Sequence, residues 1–398
     1  MKKISCLSLI ASIAITTPLL ADNLSDALQN LKVKGEIKAE YSDSNFLGAA
    51  KSEDITAVGG SLGVITGDFY GFSAGVTFQA STVLTDDFNA PTAGPQIDPL
   101  DASGARLSES YIQYKYSNTS LKAGRQYIYT PLVSTAIDGK SSETVLKDSF
   151  EAYVLTNTDI PNTTLVAGYV NKYQNKVDAT SNDIGDFKDF QDGAYTIYAK
   201  NTSIENLTLQ AQYLDESGKT SATDKDALYL QADYNLNGHM LSAQFLSSTD
   251  KTQAANAQDG KLFGLKATGP LGIGKLGYVL AYNSSTDKNA PVYVGAGSGT
   301  TDTPFTAMPV HGGGVPTRAD TDTIVGAIAV PVMGATAVGY AGKSMSSTHP
   351  IGDVTAMGAI AIYPVSKNLL LKVNYEHVEV EKIPKDTDTT RVYLTYKF

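Results

Sequence analysis

The sequence predicts an all-β fold, a transmembrane antiparallel β-barrel of about 18 strands. The last ten residues, Thr389 to Phe398, alternate polar and apolar side chains with the period of a β-strand. Similar segments recur along the chain, each close to the ~9 to 11 residues that a tilted strand needs to cross a bilayer. The connections between them are alternately short and long, which favours a barrel with turns on one side of a membrane and loops on the other.

A segment typical of export precedes the predicted barrel. A basic start is followed by an apolar, small-residue run up to Leu20, and the sequence turns polar at Asp22. This pattern predicts a secretory signal peptide over residues 1–21 and a barrel domain over residues 22–398. The only cysteine, Cys6, lies in the segment that would be removed. The mature chain would therefore have no thiol chemistry and no disulfide.

Composition excludes two broad classes of protein. The formal net charge is −10, so nucleic acid is not an expected partner. Hydrophobic residues make up 42% of the chain, and no uninterrupted apolar run of about 20 residues follows Leu20. A helical membrane protein is thereby excluded. The 23 tyrosines and 35 glycines suit strands and turns.

In chain order, a short helical lead-in over residues 22–30 is followed by eighteen segments of period two. Each has a polar and an apolar face: Leu207 and Leu209, for example, oppose Thr208 and Gln210. The predicted strands lie at about 31–42, 55–66, 70–82, 106–117, 120–128, 148–157, 161–173, 192–201, 205–215, 226–236, 239–248, 259–269, 274–284, 322–331, 334–344, 353–363, 368–380 and 389–398.

The connections give the predicted orientation. Those after even-numbered strands are short and contain Gly, Asn, Asp or Pro. Most of those after odd-numbered strands are longer, notably 83–105, 129–147, 174–191 and 285–321. An even number of strands places both termini on the side of the short turns, the periplasm. The polar faces must line a wet lumen, because a charge on the lipid face costs ~2 to 4 kcal/mol at the bilayer midplane.

The stretch LSESYIQYKYSNTSLKAGRQYIYTPL, residues 107–132, resembles the OprD-type outer-membrane porins, especially the branch found in Campylobacter-like bacteria. In that branch a Gly-Arg-Gln motif ends a strand, and a Thr-Pro-Leu motif leads into a loop folded into the barrel, here near 129–147. The matching residues of this chain are Gly124, Arg125, Gln126, Thr130, Pro131 and Leu132.

The resemblance implies an 18-stranded barrel, commonly a homotrimer, that passes small hydrophilic solutes without energy input. It also implies the outer membrane of a Gram-negative bacterium, with lipid and lipopolysaccharide as its surroundings. This chain departs from the carboxylate-selective members of that family, because Lys and Arg are sparse and the net charge is negative. A ladder of basic residues guiding anions is therefore not expected.

Charged residues on the predicted lumen faces and in the inward loop are the candidates for pore lining and constriction. Two roles are open for Arg125: a constriction residue, or a brace of the loop base paired with an acid. Strict alternation from Leu121 points Arg125 outward, so either Gly124 marks a β-bulge or Arg125 lies at the membrane interface. The pore candidates are Arg106, Glu109, Lys115, Arg125, Asp138, Glu143, Lys147, Lys372, Glu376 and Arg391, and the loop-base candidates are Gly124, Gln126, Thr130 and Pro131.

Five aspartates crowd residues 178–192, with Lys188 as the only nearby base. Their carboxylates would suit a divalent cation such as calcium. The spacing matches no EF-hand pattern, however, and an acidic surface is the simpler interpretation. No cofactor and no other metal site are expected. The aspartates are Asp178, Asp183, Asp186, Asp189 and Asp192.

These features predict a water-filled channel for passive diffusion of small hydrophilic solutes and ions, with a weak preference for cations. The alternative is an adhesive or structural barrel whose long loops, above all residues 287–323, bind host surfaces or partner proteins. That loop either plugs the mouth or is exposed, and we expect a tag near Gly299 to be accessible on intact cells. An enzyme is not expected, since the four histidines are scattered and no Gly-x-Ser-x-Gly or His-Glu-x-x-His motif occurs.

Overall fold

A computed structural model describes residues 24–45, 52–86, 102–178, 183–216, 224–250, 258–286, 291–310, 314–382 and 386–398. The predicted signal peptide, residues 1–21, lies outside these ranges. None of the described helices is long and apolar enough to span a membrane.

The described residues form one α-helix, one 3₁₀ helix and eighteen strands. The α-helix is α1, Leu24–Gln29, and the 3₁₀ helix is Ser298–Asp302. The strands are β1 Lys32–Asn45, β2 Ser52–Ile65, β3 Phe72–Asp86, β4 Gly104–Tyr116, β5 Thr119–Gln126, β6 Ser149–Asn157, β7 Thr163–Gln174, β8 Phe187–Asn201, β9 Leu207–Glu216, β10 Lys225–Leu236, β11 His239–Asp250, β12 Gln258–Pro270, β13 Gly277–Ser285, β14 Thr321–Val332, β15 Ala335–Ser346, β16 Val354–Pro364, β17 Leu369–Val380 and β18 Thr387–Lys397.

The sheet closes on itself. Each strand pairs antiparallel with the next, and β18 pairs with β1, which leaves no open edge. The closing register sets Tyr396 opposite Ile37, and the backbone groups of Phe398 and Gly35 exchange two hydrogen bonds of 3.0 Å. The predicted closed antiparallel barrel of 18 strands is therefore confirmed.

Short and long connections alternate as expected. The even-numbered strands are followed by tight turns, such as Asn237-Gly238, where φ is +52° and +90°. Asn and Gly tolerate these left-handed angles, which a two-residue hairpin turn requires. Long connections follow β3, β5, β7 and β13. At the end of the barrel with the short turns, α1 is tied to the wall by a bond from the Gly67 N–H to the Ala27 carbonyl.

The two faces of the wall differ as the alternation predicted. The outer face exposes large apolar side chains, including Ile112 at 61%, Phe78 at 59% and Leu265 at 62%. Side chains that point inward from other strands, such as Gln212 and Lys372, are polar and buried inside the barrel. Exposed apolar surface on this scale is unusual in a soluble monomer and fits contact with lipid.

Candidate constriction of the lumen

Loop 3, the connection of residues 127–148 between β5 and β6, folds into the lumen. Leu132 and Val133 are fully buried there, in a cluster with inward side chains of the wall such as Phe150, Leu214 and Leu262. Apolar contact thus anchors the first half of loop 3.

Loop 7 is the connection of residues 286–320 between β13 and β14, and its described residues 291–310 also enter the lumen and lie along loop 3. The N–H of Ser134 donates to the Ala296 carbonyl and the N–H of Ala296 donates to the Leu132 carbonyl, both at 2.9 Å. A Cβ on Gly297 would stand 2.1 Å from the Ser134 carbonyl oxygen. Only glycine permits this approach, since its φ is +94° as well.

The inward course of loop 7 corrects one expectation. Gly299 is buried, and a Cβ there would stand 2.0 Å from the carbonyl oxygen of Thr135 in loop 3. The prediction that a tag near Gly299 would be accessible is therefore wrong. The later part of loop 7 packs against the opposite wall, where Met308 and Val315 join a cluster that includes Val325 and Tyr340.

Charged side chains hold the middle of loop 3 against β1 and β18. The Asp138 carboxylate lies 3.0 Å from the ammonium of Lys38, 2.6 Å from that of Lys397 and 3.5 Å from that of Lys147. Lys147 in turn lies 3.0 Å from Glu36. Asp138 and Lys147 were expected at the constriction; they lie in this cluster of opposite charges.

The electrostatic surroundings shift the pKa values of both loop residues. Burial alone raises the pKa of Asp138, but the ammonium groups of Lys38, Lys147 and Lys397 outweigh it and hold that pKa below its ordinary value. Burial alone lowers the pKa of Lys147, and the carboxylates of Asp138 and Glu36 raise it above its ordinary value. Both residues therefore stay charged around neutral pH.

A second ion pair attaches loop 3 to β17. The Lys372 ammonium lies 2.8 Å from the Glu143 carboxylate, and the two side chains are only 4% and 5% exposed. Lys372 also stands 5.0 Å from the ring centroid of Tyr393. A buried pair of this kind constrains geometry strongly, because losing one partner leaves an uncompensated charge.

Two further predicted pore acids are buried on the lumen side of the wall. Glu109 of β4 lies 2.9 Å from Lys34 and 3.6 Å from Lys122. Glu376 of β17 accepts a 2.7 Å hydrogen bond from the Tyr340 hydroxyl. Neither carboxylate projects as an isolated charge into the open lumen.

Three predicted basic pore residues lie in different surroundings. Arg391 faces the lumen from β18 and is 8% exposed. Arg106, near the end of β4 that carries the long loops, makes an exposed pair of 2.5 Å with Asp186. Lys115 is exposed near the short-turn end of the same strand. The structure therefore separates these three residues rather than gathering them at one constriction.

Arg125 lies on the outer face of the barrel. Gly124 stands between the buried, inward residues Tyr111 and Ala152 in an unbroken register, so its neighbour Arg125 points the other way. Its Nε donates to Glu151 Oε1 at 2.7 Å. The proposed bulge at Gly124 is absent from the described pairing of β5. Of the two roles left open for Arg125, this geometry favours the brace paired with an acid over the constriction residue.

The remaining loop-base candidates, Gln126, Thr130 and Pro131, make hydrogen bonds to the barrel wall and to loop 7. The buried Gln126 amide donates to the Ala152 carbonyl at 2.9 Å. The Thr130 hydroxyl accepts from the Gln212 amide at 2.8 Å, and the Pro131 carbonyl accepts from the Thr303 hydroxyl of loop 7 at 2.8 Å. The base of loop 3 is therefore bound to the wall and to loop 7.

Two open spaces remain beside the inward loops, with volumes of about 440 and 720 Å³. Both are lined by Lys140, Gln210 and Asp302. Lys266 lines the smaller one and Lys200 the larger one. Most of these residues were missed by the sequence reasoning, although the inward alternation of Lys200, Gln210 and Lys266 would have indicated their direction.

The described aspartates around β8 do not form one carboxylate cluster. Asp186 pairs with Arg106, Asp189 lies 3.7 Å from Lys172, and Asp178 lies 3.7 Å from Lys188. Among the described residues, the group with metal-ligand atoms within 4.8 Å of one another is a different one, at the ends of β17 and β18. It consists of His377, Glu379 and Asp386.

A closed membrane barrel narrowed from within by loops defines a channel-forming outer-membrane protein. A family profile described as Gram-negative porin matches residues 7–396, and the chain belongs to that family. It is accordingly a channel for small solutes in the outer membrane. Among functionally curated proteins, none is similar enough in sequence to match the chain.

Solved structures share the fold at low sequence identity. Acinetobacter baumannii OccAB1 has a TM-score of 0.74 at 14% identity, covering 94% of this chain and 97% of that one. Pseudomonas aeruginosa OccK3 (OpdO) has a TM-score of 0.72 at 14% identity, with the same coverage of 94% and 97%. Pseudomonas aeruginosa OccK9 (OpdG) has a TM-score of 0.72 at 18% identity, covering 94% and 99%.

Proposed function

We propose that the chain is a general diffusion porin whose passage is set by loops 3 and 7 together. The observation that carries this proposal is the pair of open spaces of about 440 and 720 Å³ beside the two loops, both lined by Lys140, Gln210 and Asp302. A barrel of this strand number is too wide for its wall side chains to fill, so inward loops are what narrows it. Recording in planar bilayers tests the proposal, since a porin gives large stepwise openings.

The adhesive alternative predicts a different recording. It relied on residues 287–323 as a surface loop, whereas residues 291–310 lie against loop 3 and the lumen wall. A filled barrel acting only as an adhesin would give no steady channel. Absence of stepwise conductance from well-folded protein would therefore contradict the porin proposal.

A weak preference for cations remains our proposal, although acids other than those of loop 3 now support it. Asp138 and Glu143 are neutralised by lysines, and the open spaces present Lys140 and Lys266. Support now comes from acids at the extracellular end that pair with no lysine or arginine among the described residues, such as Glu379, whose side chain is 55% exposed beside His377. Such acids concentrate cations near the mouth, and salt screens the effect beyond ~8 Å. A reversal potential favouring chloride at low salt would contradict the proposal.

We also propose a homotrimer in contact with lipid and lipopolysaccharide. A polar patch on the outer wall supports association: Arg125 and Lys172 lie 2.7 and 3.9 Å from Glu151, next to the outward Tyr153, which is 57% exposed. Charged groups are costly against lipid, and a neighbouring subunit would shield them. Mass measurement of the protein in detergent tests this, because a single protomer mass would contradict it. Membership in the Campylobacter-like branch stays a prediction.

A further inference from the structure

Loop 7 holds the tip of loop 3 through one carboxylate. Asp302 Oδ1 accepts hydrogen bonds from the Ser141 N–H at 3.1 Å and from the Ser141 hydroxyl. Its Oδ2 accepts from the Ser142 N–H at 3.3 Å and from the Ser142 hydroxyl at 2.7 Å. Four donors from two adjacent residues thus converge on one side chain. Bonds to an ionised acceptor are roughly twice as strong as neutral ones.

The segment that carries Asp302 is itself fixed in the lumen. The next residue, Thr303, donates its hydroxyl to the Pro131 carbonyl at 2.8 Å. The Phe305 N–H donates to Gln244 on the wall at 2.9 Å. The N–H of Gly299 donates to the Ser134 carbonyl at 3.0 Å. Asp302 is therefore a rigid anchor for the tip, because both of its flanks are bound.

The anchored tip carries Lys140, whose side chain is exposed to the lumen. The Lys140 N–H donates to the Ile137 carbonyl at 3.2 Å, and the Lys140 carbonyl accepts from the Glu143 N–H at 3.1 Å. Lys140 sits in a tight turn and lines both open spaces beside the loops. A permeating ion that moves between these spaces passes this ammonium.

We propose that Asp302 is a positioning residue that holds Lys140 at the boundary of the two spaces and thereby limits the cation preference of the pore. The inference rests on the proposed porin function. A fixed ammonium raises the local concentration of anions and lowers that of cations. Withdrawing a unit charge from about 4 to about 10 Å changes the local ion concentration about threefold in a high-dielectric lumen.

The test is a double-mutant cycle on the full-length protein in planar bilayers with a KCl gradient. Replacing Asp302→Asn should lower the chloride-to-potassium permeability ratio about two- to threefold. The lost negative charge would by itself raise this ratio, so the sign separates positioning from direct electrostatics. In a Lys140→Gln background, Asp302→Asn should no longer lower the ratio, because the lysine through which Asp302 acts is gone.

Two further variants complete the design. Ser141→Ala removes a donor on the loop 3 side and should shift the ratio in the same direction by less. Asp320→Asn is the matched control: this acid accepts a 2.7 Å bond from the Ser347 hydroxyl, apart from loop 3, and its replacement should leave the ratio unchanged. Each variant is first shown to be folded by its heat-dependent migration in gels.

Several outcomes would overturn the inference. A permeability ratio in Asp302→Asn that equals or exceeds the wild-type value would show that the carboxylate does not act by positioning. An equal fall in the Lys140→Gln background would show that Asp302 acts through another group. A folded wild-type protein without stepwise conductance would overturn the porin function itself, whereas a conducting wild type with either of the first two results removes only this inference.

Discussion

Replacing Glu143→Gln should weaken the attachment of loop 3 to β17. The substitution keeps the shape of the side chain and removes the charge that compensates the Lys372 ammonium, 2.8 Å away. Both side chains are at most 5% exposed, so water cannot replace the lost partner. Removing one partner of a buried pair costs about 3 to 5 kcal/mol. The ring of Tyr393, 5.0 Å from that ammonium, favours the lower end of this range.

Hydrogen exchange measured by mass spectrometry detects this weakening. A loss of about 3 kcal/mol corresponds to roughly a hundredfold larger open population of the loop. Amides of residues 137–147, including those of Ile137 and Lys147, which bond to Ser142 Oγ and Gln79 Oε1 at 3.0 Å, should exchange faster by that factor. Peptides from the strand β9 should exchange as in the wild type.

A double variant supplies the control for this reasoning. Glu143→Gln combined with Lys372→Met leaves neither charge buried without a partner, so much of the protection should return. Unchanged exchange in Glu143→Gln alone would refute the proposed importance of the ion pair. Failure of the double variant to regain protection would refute the uncompensated charge as the cause.

Four other outcomes are expected. Gly297→Ala should detach loop 7 and speed exchange there, because its Cβ would overlap loop 3, whereas Gly272→Ala, with a similar φ of +74° but nothing within 4 Å, should leave the exchange of loop 7 unchanged. An epitope inserted at the exposed Thr348 should be labelled on intact cells and one at Gly272 should not; the reverse would contradict the orientation. Deleting Phe398 removes two backbone bonds of the barrel closure and should lower the yield of folded protein in outer-membrane fractions. The pKa of Asp138 in the folded protein is lowered. Its ionised carboxylate therefore stabilises the fold at any pH above the ordinary aspartate pKa of about 4, and this stabilisation is lost as the pH falls below that value. Single-channel conductance should accordingly hold steady down to about pH 4.

The strands were predictable because their signal is local. Alternation of period two fixes which side chains of a strand share a face, whatever the strand pairs with. The least accurate boundary was that of β8, predicted from residue 192 but starting at Phe187. There the register shifts near Val170, and Gly193 has a φ of +87°, so the regular alternation is interrupted.

Contacts between distant segments were not predictable from alternation. Lys372 was correctly placed inside, yet nothing local indicates that Glu143 is its partner. The sequence does carry a signal for the close approach of loop 7 to another segment, since Gly295, Gly297 and Gly299 stand at every second position. Such spacing suits an extended segment that lies directly against another backbone, but sequence alone does not identify which one.

The apolar contacts inside the lumen have a consequence for biogenesis. Every hydrogen bond of the sheet can form once β18 meets β1, a step that does not require Leu132 or Met308 to be buried. Closure of the wall and packing of its interior therefore rest on different contacts. A barrel whose wall has closed before its loops are packed has a wide, open lumen and exposes the apolar side chains of loops 3 and 7. This state ends when loop 7 reaches loop 3.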